Sequence, residues 1–103
     1  MNPLRIANIQ VQVRSTAAPR AYRIYIDDTL ITERTWNLST DYAINENLVV
    51  HVPLGRHKFR LIPISPESNF SLHQFHVNNQ LVHKVCRSTE FDFIVDASLP
   101  AIV

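Results

Sequence analysis

Alternation of apolar and polar residues across residues 50–63 constrains this chain more than any other feature. Two alternating runs meet there at Gly55, the only glycine in the protein. Exchange of residue type at every step fits a β-strand with one buried face and one solvated face. Similar alternation recurs through most of the chain, and no long segment has helical spacing. The pattern therefore predicts an all-β protein.

About eight strands joined mostly by short loops can be placed along the 103 residues. The alternation predicts strands at 4–14, 22–26, 29–36, 48–52, 56–62, 70–77, 81–85 and 91–95, with 42–47 the weakest segment. This strand count is typical of a sandwich, and the length suits one domain. We expect a single antiparallel immunoglobulin-like β-sandwich of about seven to eight strands over residues 1–103.

Two short polar pairs, the segment 53–55 and one change in the apolar alternation predict where turns and a bulge lie. The pairs at 27–28 and 78–79 predict hairpin turns, because Asp and Asn tolerate positive φ. The segment 53–55 predicts a further hairpin, which would place His51 opposite His57. The apolar phase changes at residues 7–8, which predicts a β-bulge there or a strand that changes sheets.

Charge and cysteine content narrow the functional classes. Cys86 is the only cysteine, so no internal disulfide forms, and a reducing compartment is favoured. The first residues lack the apolar core of a signal peptide, and no apolar run approaches the roughly 18 residues of a membrane span. The net charge is +1 with both signs interspersed, which disfavours DNA or a membrane as partner. Eight of the ten basic residues are Arg, the cation favoured in subunit contacts.

The residues whose side chains could act in catalysis or bind a metal form no catalytic or metal-binding motif. A pair made by His51 and His57 lacks a third ligand at a suitable spacing. His73 and His76 are three apart, so a regular strand directs them to opposite faces. The carboxylates are scattered, and the single glycine excludes the Gly-x-Ser-x-Gly motif. We expect no enzyme activity, no metal and no cofactor.

Two groups of residues are predicted to contact other subunits. Arg56, Lys58 and Arg60 share one face of a strand and form a basic contact stripe, suited to an acidic partner patch. The tail, residues 97–103, is apolar, and we expect it to dock through Leu99, Ile102 and Val103.

An alternative function rests on aromatic residues. Tyr25 lies on the expected outer face of its strand and Trp36 at a strand end, so the two form a possible ligand platform. That arrangement would suit a carbohydrate-binding β-sandwich module.

Two short segments resemble known families. Residues 25–35 and 52–61 are similar to the core of PEGA-type and related immunoglobulin-like modules, in which an aspartate-centred turn precedes a glycine turn and a histidine. The glycine usual beside the first aspartate is Asp28 in this chain. Residues 23–28 resemble a hairpin of small bacteriophage virion accessory proteins. Both resemblances imply a non-catalytic surface module.

These observations together predict a non-enzymatic structural or interaction subunit. The version we favour is a bacteriophage virion protein of the capsid, decoration or tail class, made in the cytoplasm of the host. Its partners would be other protein subunits, in a homo-oligomer or a larger assembly.

Overall fold

The structure is a computed structural model that describes residues 4–15, 20–36, 43–64 and 70–97. Every regular element in these ranges is a β-strand. The eight strands are β1 (Leu4–Ser15), β2 (Arg20–Ile26), β3 (Thr29–Trp36), β4 (Ala43–Pro53), β5 (Gly55–Pro63), β6 (Phe70–Val77), β7 (Gln80–Val85) and β8 (Glu90–Val95). The described residues include no helix that is long and apolar enough to cross a membrane.

The strands form two four-stranded antiparallel sheets. Sheet I has the order β4-β1-β6-β7 and sheet II the order β3-β2-β5-β8. The prediction of an all-β antiparallel sandwich of seven to eight strands is confirmed. The pairings are nested: β2 and β3 form a hairpin in sheet II, while β1 and β4, which flank that hairpin in sequence, pair in sheet I. β1 and β2 thus lie in different sheets, whereas the first two strands of an immunoglobulin domain lie side by side.

The core lies between the two sheets, and alternation along each strand supplies it. β1 and β4 bury alternate residues from sheet I, and β2 and β5 do the same from sheet II. Aromatic rings join the layers near one edge, where Phe75 of β6 packs edge-on against Phe59 of β5 and Phe91 of β8. Such edge-to-face pairs stabilise a core beyond the area that they bury.

The predicted irregularity at residues 7–8 is wrong. β1 pairs with β4 without interruption from Leu4 to Arg14, so the strand neither bulges against β4 nor changes sheets. The buried positions run without a break from Ala7 to Val13, and Ile6 lies half-buried on the opposite side. Ala7 is itself a core residue, and its small side chain is enough to fill the core there. The apolar phase of β1 therefore does not change at residues 7–8.

The predicted hairpin at residues 53–55 is also wrong. β4 belongs to sheet I and β5 to sheet II, so the connection crosses between the layers. Gly55 has a φ of 126°, a conformation that side chains with a Cβ rarely adopt. A Cβ at Gly55 would meet no atom within 4 Å, so its backbone conformation alone selects glycine. The crossing separates His51, which is exposed, from His57, which is buried.

Two predicted turns are present. Residues 27–28 connect β2 to β3, and residues 78–79 connect β6 to β7. Asp27, Asn78 and Asn79 have positive φ values, as expected of these residue types in tight turns.

Candidate interaction surfaces

The predicted contact stripe lies on the outer face of sheet II. Arg56, Lys58 and Arg60 alternate along β5 with the buried residues of that strand. Each cation has an acidic neighbour: Arg56 lies 3.9 Å from Asp92, Lys58 3.2 Å from Glu90 and Arg60 3.5 Å from Asp28. The stripe is therefore part of a mixed-charge face, in which the positive potential available to an anionic partner is reduced.

The two residues of the predicted ligand platform are far apart along their hairpin. Tyr25 is half-buried on the outer face, and the Arg60 guanidinium lies 5.4 Å from its ring centre. Its strand neighbour is Leu30, whereas Trp36 pairs with Arg20 at the other end of the hairpin. The side chain of Trp36 lies outside the described part of the structure, as do Leu99, Ile102 and Val103 of the predicted docking tail.

The outer face of sheet I has a different chemistry. Its three adjacent strands β4, β1 and β6 carry a group of amide and imidazole side chains, here named the amide face: Gln10, Gln12, Asn45, Asn47, His73, Gln74 and His76. Most of them line an open depression of about 490 Å³. Such a surface can both donate and accept hydrogen bonds.

A β-bulge on β6 places both histidines on the amide face. Gln12 of β1 pairs with His73, and Gln10 pairs with His76, so β6 has one extra residue in this interval. Gln74 has a φ of 54°, and its carbonyl oxygen accepts a hydrogen bond from Nδ1 of His76 at 2.8 Å. The prediction that His73 and His76 point to opposite faces is wrong, because the bulge changes the alternation between them.

A buried polar cluster connects the two sheets. Glu46 of β4 is only 2% exposed. Its Oε1 accepts a hydrogen bond from the Tyr22 hydroxyl at 2.7 Å and one from Nε of Arg34, while Nη2 of Arg34 donates to Oε2 at 3.1 Å. Burial and the carboxylate of Glu46 raise the pKa of Tyr22, so this hydroxyl stays a donor. The hydrogen bond with Glu46 also raises the pKa of Arg34.

The geometry of this cluster suits a stabilising role and not a catalytic one. Each oxygen of Glu46 has a donor within the protein and the residue is almost fully buried, so the carboxylate is not open to a substrate. In the sequence Glu46 is one of several scattered carboxylates. One signal was present: Glu46 shares the parity of Leu48, Val50 and Val52, the buried face of β4.

A second polar group fixes the connection between the sheets. His57 is 6% exposed, and both of its ring nitrogens face oxygen atoms: Nδ1 lies 2.8 Å from Oδ2 of Asp27, and Nε2 lies 2.7 Å from the Pro53 carbonyl. Oδ1 of Asp27 accepts the Lys58 amide at 2.9 Å. Partial burial raises the pKa of Asp27, but the hydrogen bonds from His57 and Lys58 outweigh it and the pKa falls below its usual value.

Neither the pair of His51 and His57 nor the pair of His73 and His76 forms a metal centre in the described residues. Both ring nitrogens of His57 are engaged by protein oxygens. In the parts of the chain that the structure describes, no group of three or more His, Cys, Asp or Glu side chains could hold a metal ion.

The free edge of β7 exposes apolar side chains. Leu81 is 52% exposed, Val82 44% and Val85 60%. β7 lies at the end of sheet I, so one side of its backbone has no neighbouring strand within the described residues. Lys84 is the only Lys, Arg, Asp or Glu residue of this strand. The sequence predicted this strand but gave no sign that it would lie at an edge, because strand order depends on distant pairings.

Comparison with protein-family models, with curated proteins and with solved structures finds no match to this chain. The resemblances to PEGA-type modules and to bacteriophage virion proteins therefore stay predictions.

Proposed function

We propose that this chain is a non-enzymatic assembly subunit that associates with a second copy of itself through the free edge of β7. The observation that supports this proposal is the combination, within the described residues, of unpaired strand backbone and three exposed apolar side chains at that edge. A free edge of this kind is a template for another strand. Exposed apolar residues clustered on it favour a protein partner.

The other edge strands differ from β7. Among the described side chains, β3, β4 and β8 each expose one large apolar residue, namely Leu30, Val49 and Ile94. β3 also carries the Glu33 and Arg34 charges, and β8 carries Glu90 and Asp92. Charges at an edge disfavour pairing with another strand. β7 therefore differs from the charged edges β3 and β8, and it differs from β4 in exposing three large apolar residues instead of one.

A second copy fits β7 better than a charged partner does. The strand has no carboxylate and one lysine, so it offers little electrostatic complementarity to a strongly charged surface. Two copies of β7 can pair antiparallel about a two-fold axis that is centred on a residue other than Lys84, so that the two lysines do not face each other directly. The result is a continuous eight-stranded sheet made of two copies of sheet I.

The test is the solution mass of the chain by light scattering over a concentration series. We expect a dimer, or a larger closed species, for the unmodified protein. The double variant Leu81→Lys/Val85→Lys adds charge to the edge and should be monomeric with an unchanged circular dichroism spectrum. Leu30→Lys makes the same kind of change on β3, an edge strand of sheet II, and should leave the oligomer intact.

Two results would overturn this proposal. One is a monomer at every concentration of the unmodified chain. The other is a double variant that associates as strongly as the unmodified chain does. Equal loss of association in the Leu30→Lys control would also count against β7, since the effect would then depend on added charge alone.

We further propose the narrower function of a bacteriophage virion component. Its support is the predominance of Arg among the basic residues, the mixed-charge outer face of sheet II and a β7 edge suited to repeated contacts. Electron microscopy of the concentrated chain tests it: regular rings, tubes or shells are expected. A simple dimer that forms no ordered particle would favour an interaction subunit outside a virion.

A further inference from the structure

The register of sheet I arranges six side chains of the amide face as two rows across three strands. In one row Gln10 lies between Asn47 and His76. In the other, Gln12 lies between Asn45 and His73. Neighbouring strands are about 4.8 Å apart. A ligand lying across the strands can therefore meet a polar group on each strand in turn.

Strand stability does not explain this choice of residues. Asparagine is depleted in strands, and an outer face is well served by threonine or by paired charges. The outer face of sheet II follows that ordinary pattern, with ion pairs such as Lys58–Glu90 and Arg23–Glu33. Sheet I instead places amides and imidazoles on its central strands.

The bulge at Gln74 is a second, independent observation. A positive φ in a residue other than glycine is uncommon and costs free energy, and bulges often redirect side chains beside binding sites. Here the bulge brings His76 to the same face as His73 and adds Gln74 to the lining of the depression. Because Nδ1 of His76 donates to the Gln74 carbonyl, Nε2 is the ring nitrogen that this hydrogen bond leaves for a ligand.

The amide face also carries little charge. Burial and the nearby Arg14 lower the pKa of His73, which keeps that ring neutral. Nε of Arg14 donates to Oε1 of Gln12 at 2.7 Å, so this arginine is already engaged at the margin of the face. That hydrogen bond uses the amide oxygen of Gln12 and not its amide nitrogen.

We propose that the amide face binds a neutral oligosaccharide. Sugar hydroxyls both donate and accept hydrogen bonds, and side-chain amides match them in both roles. A strongly charged ligand would find no countercharge among these side chains, and an apolar ligand would leave the amides unpaired. This places carbohydrate binding on sheet I, away from Tyr25 and Trp36.

The test is a titration followed by ¹H–¹⁵N correlation spectra, in which side-chain amide groups give their own signals. The probes are cellohexaose, maltohexaose, mannohexaose and chitohexaose, with a heparin-derived hexasaccharide as the acidic comparison. We expect at least one neutral probe to shift the signals of Gln10, Gln12, Asn45 and Asn47, and the acidic probe to leave them unchanged.

Variants then separate specific binding from a general surface effect. Gln10→Ala/Asn47→Ala should weaken binding at least tenfold, whereas Gln80→Ala, which removes an exposed amide from β7, should bind as the unmodified chain does. The backbone signals of each variant show that it is folded. The proposal is overturned if no neutral probe shifts the amide signals, if the shifts map elsewhere, or if the double variant binds normally. Because β7 is not involved, failure here leaves the assembly proposal standing.

Discussion

Removal of the Arg34 side chain is expected to destabilise the fold strongly, because it leaves Glu46 without its cation. Glu46 is almost fully buried, and Arg34 supplies two of the three hydrogen bonds described for its carboxylate. The substitution Arg34→Met keeps a long apolar stem against the sheet. What it removes is the guanidinium, so the remaining partner of the carboxylate is the Tyr22 hydroxyl.

The size of the effect follows from the burial of the two groups. Removing one partner of a buried ion pair costs about 3–5 kcal/mol. Arg34 is 42% exposed, so solvent already weakens the pair and can enter beside Glu46 in the variant. We therefore expect a loss of about 2–3 kcal/mol in the free energy of unfolding. At about 4–8 °C per kcal/mol for a domain of this size, the melting temperature should fall by roughly 8–24 °C.

Urea denaturation followed by circular dichroism measures this loss, and Arg23→Met is the matched control. Arg23 and Glu33 form an exposed pair on the same hairpin, at 3.0 Å with side chains 45% and 50% exposed. Such a pair contributes up to about 1 kcal/mol. The double variant Arg34→Met/Glu46→Leu should be more stable than Arg34→Met alone, since no charge is then left buried. Equal losses for Arg34→Met and Arg23→Met would refute the reasoning.

Three further predictions concern single residues. Gly55→Ala should destabilise the fold by about 1–2 kcal/mol in urea denaturation, because alanine is strained at a positive φ; no measurable loss would contradict the conformation at this crossing. The lowered pKa of Asp27 should stabilise the fold above about pH 4, the ordinary aspartate value, and this stability should disappear as pH falls through the folded-state pKa. Asp27→Asn should flatten that acid dependence, and an unchanged profile would exclude Asp27 as its source. Burial raises the pKa of the Cys86 thiol, so iodoacetamide should alkylate it more slowly at pH 8 in the folded chain than in urea; equal rates would contradict that burial.

The sequence was sufficient for features that depend on neighbours along the chain. Alternation in β2 and β5 correctly placed Tyr22 and Phe59 in the core and Lys58 outside it. The turn residues at 27–28 and 78–79 have side chains that tolerate positive φ. The hairpins that contain these turns were therefore predicted at their true positions.

Features that depend on distant pairings have no local signal in the sequence. The segment 53–55 suits a hairpin, yet β4 pairs with β1 and β5 pairs with β2, so the same residues cross between sheets. The bulge at Gln74 has no local signal, because glutamine has no special preference for positive φ. The amide face exists only because β1 lies between β4 and β6 in the sheet.

Hydrogen exchange in β7, measured on dilute and concentrated samples of the unmodified chain, tests the assembly account most directly. β6 pairs with β7 on one side, so β7 amides directed towards β6 should be protected at both concentrations. The account predicts that amides on the free side exchange rapidly in the dilute sample and become protected as concentration rises. Rapid exchange of these amides at every concentration would contradict pairing through this edge.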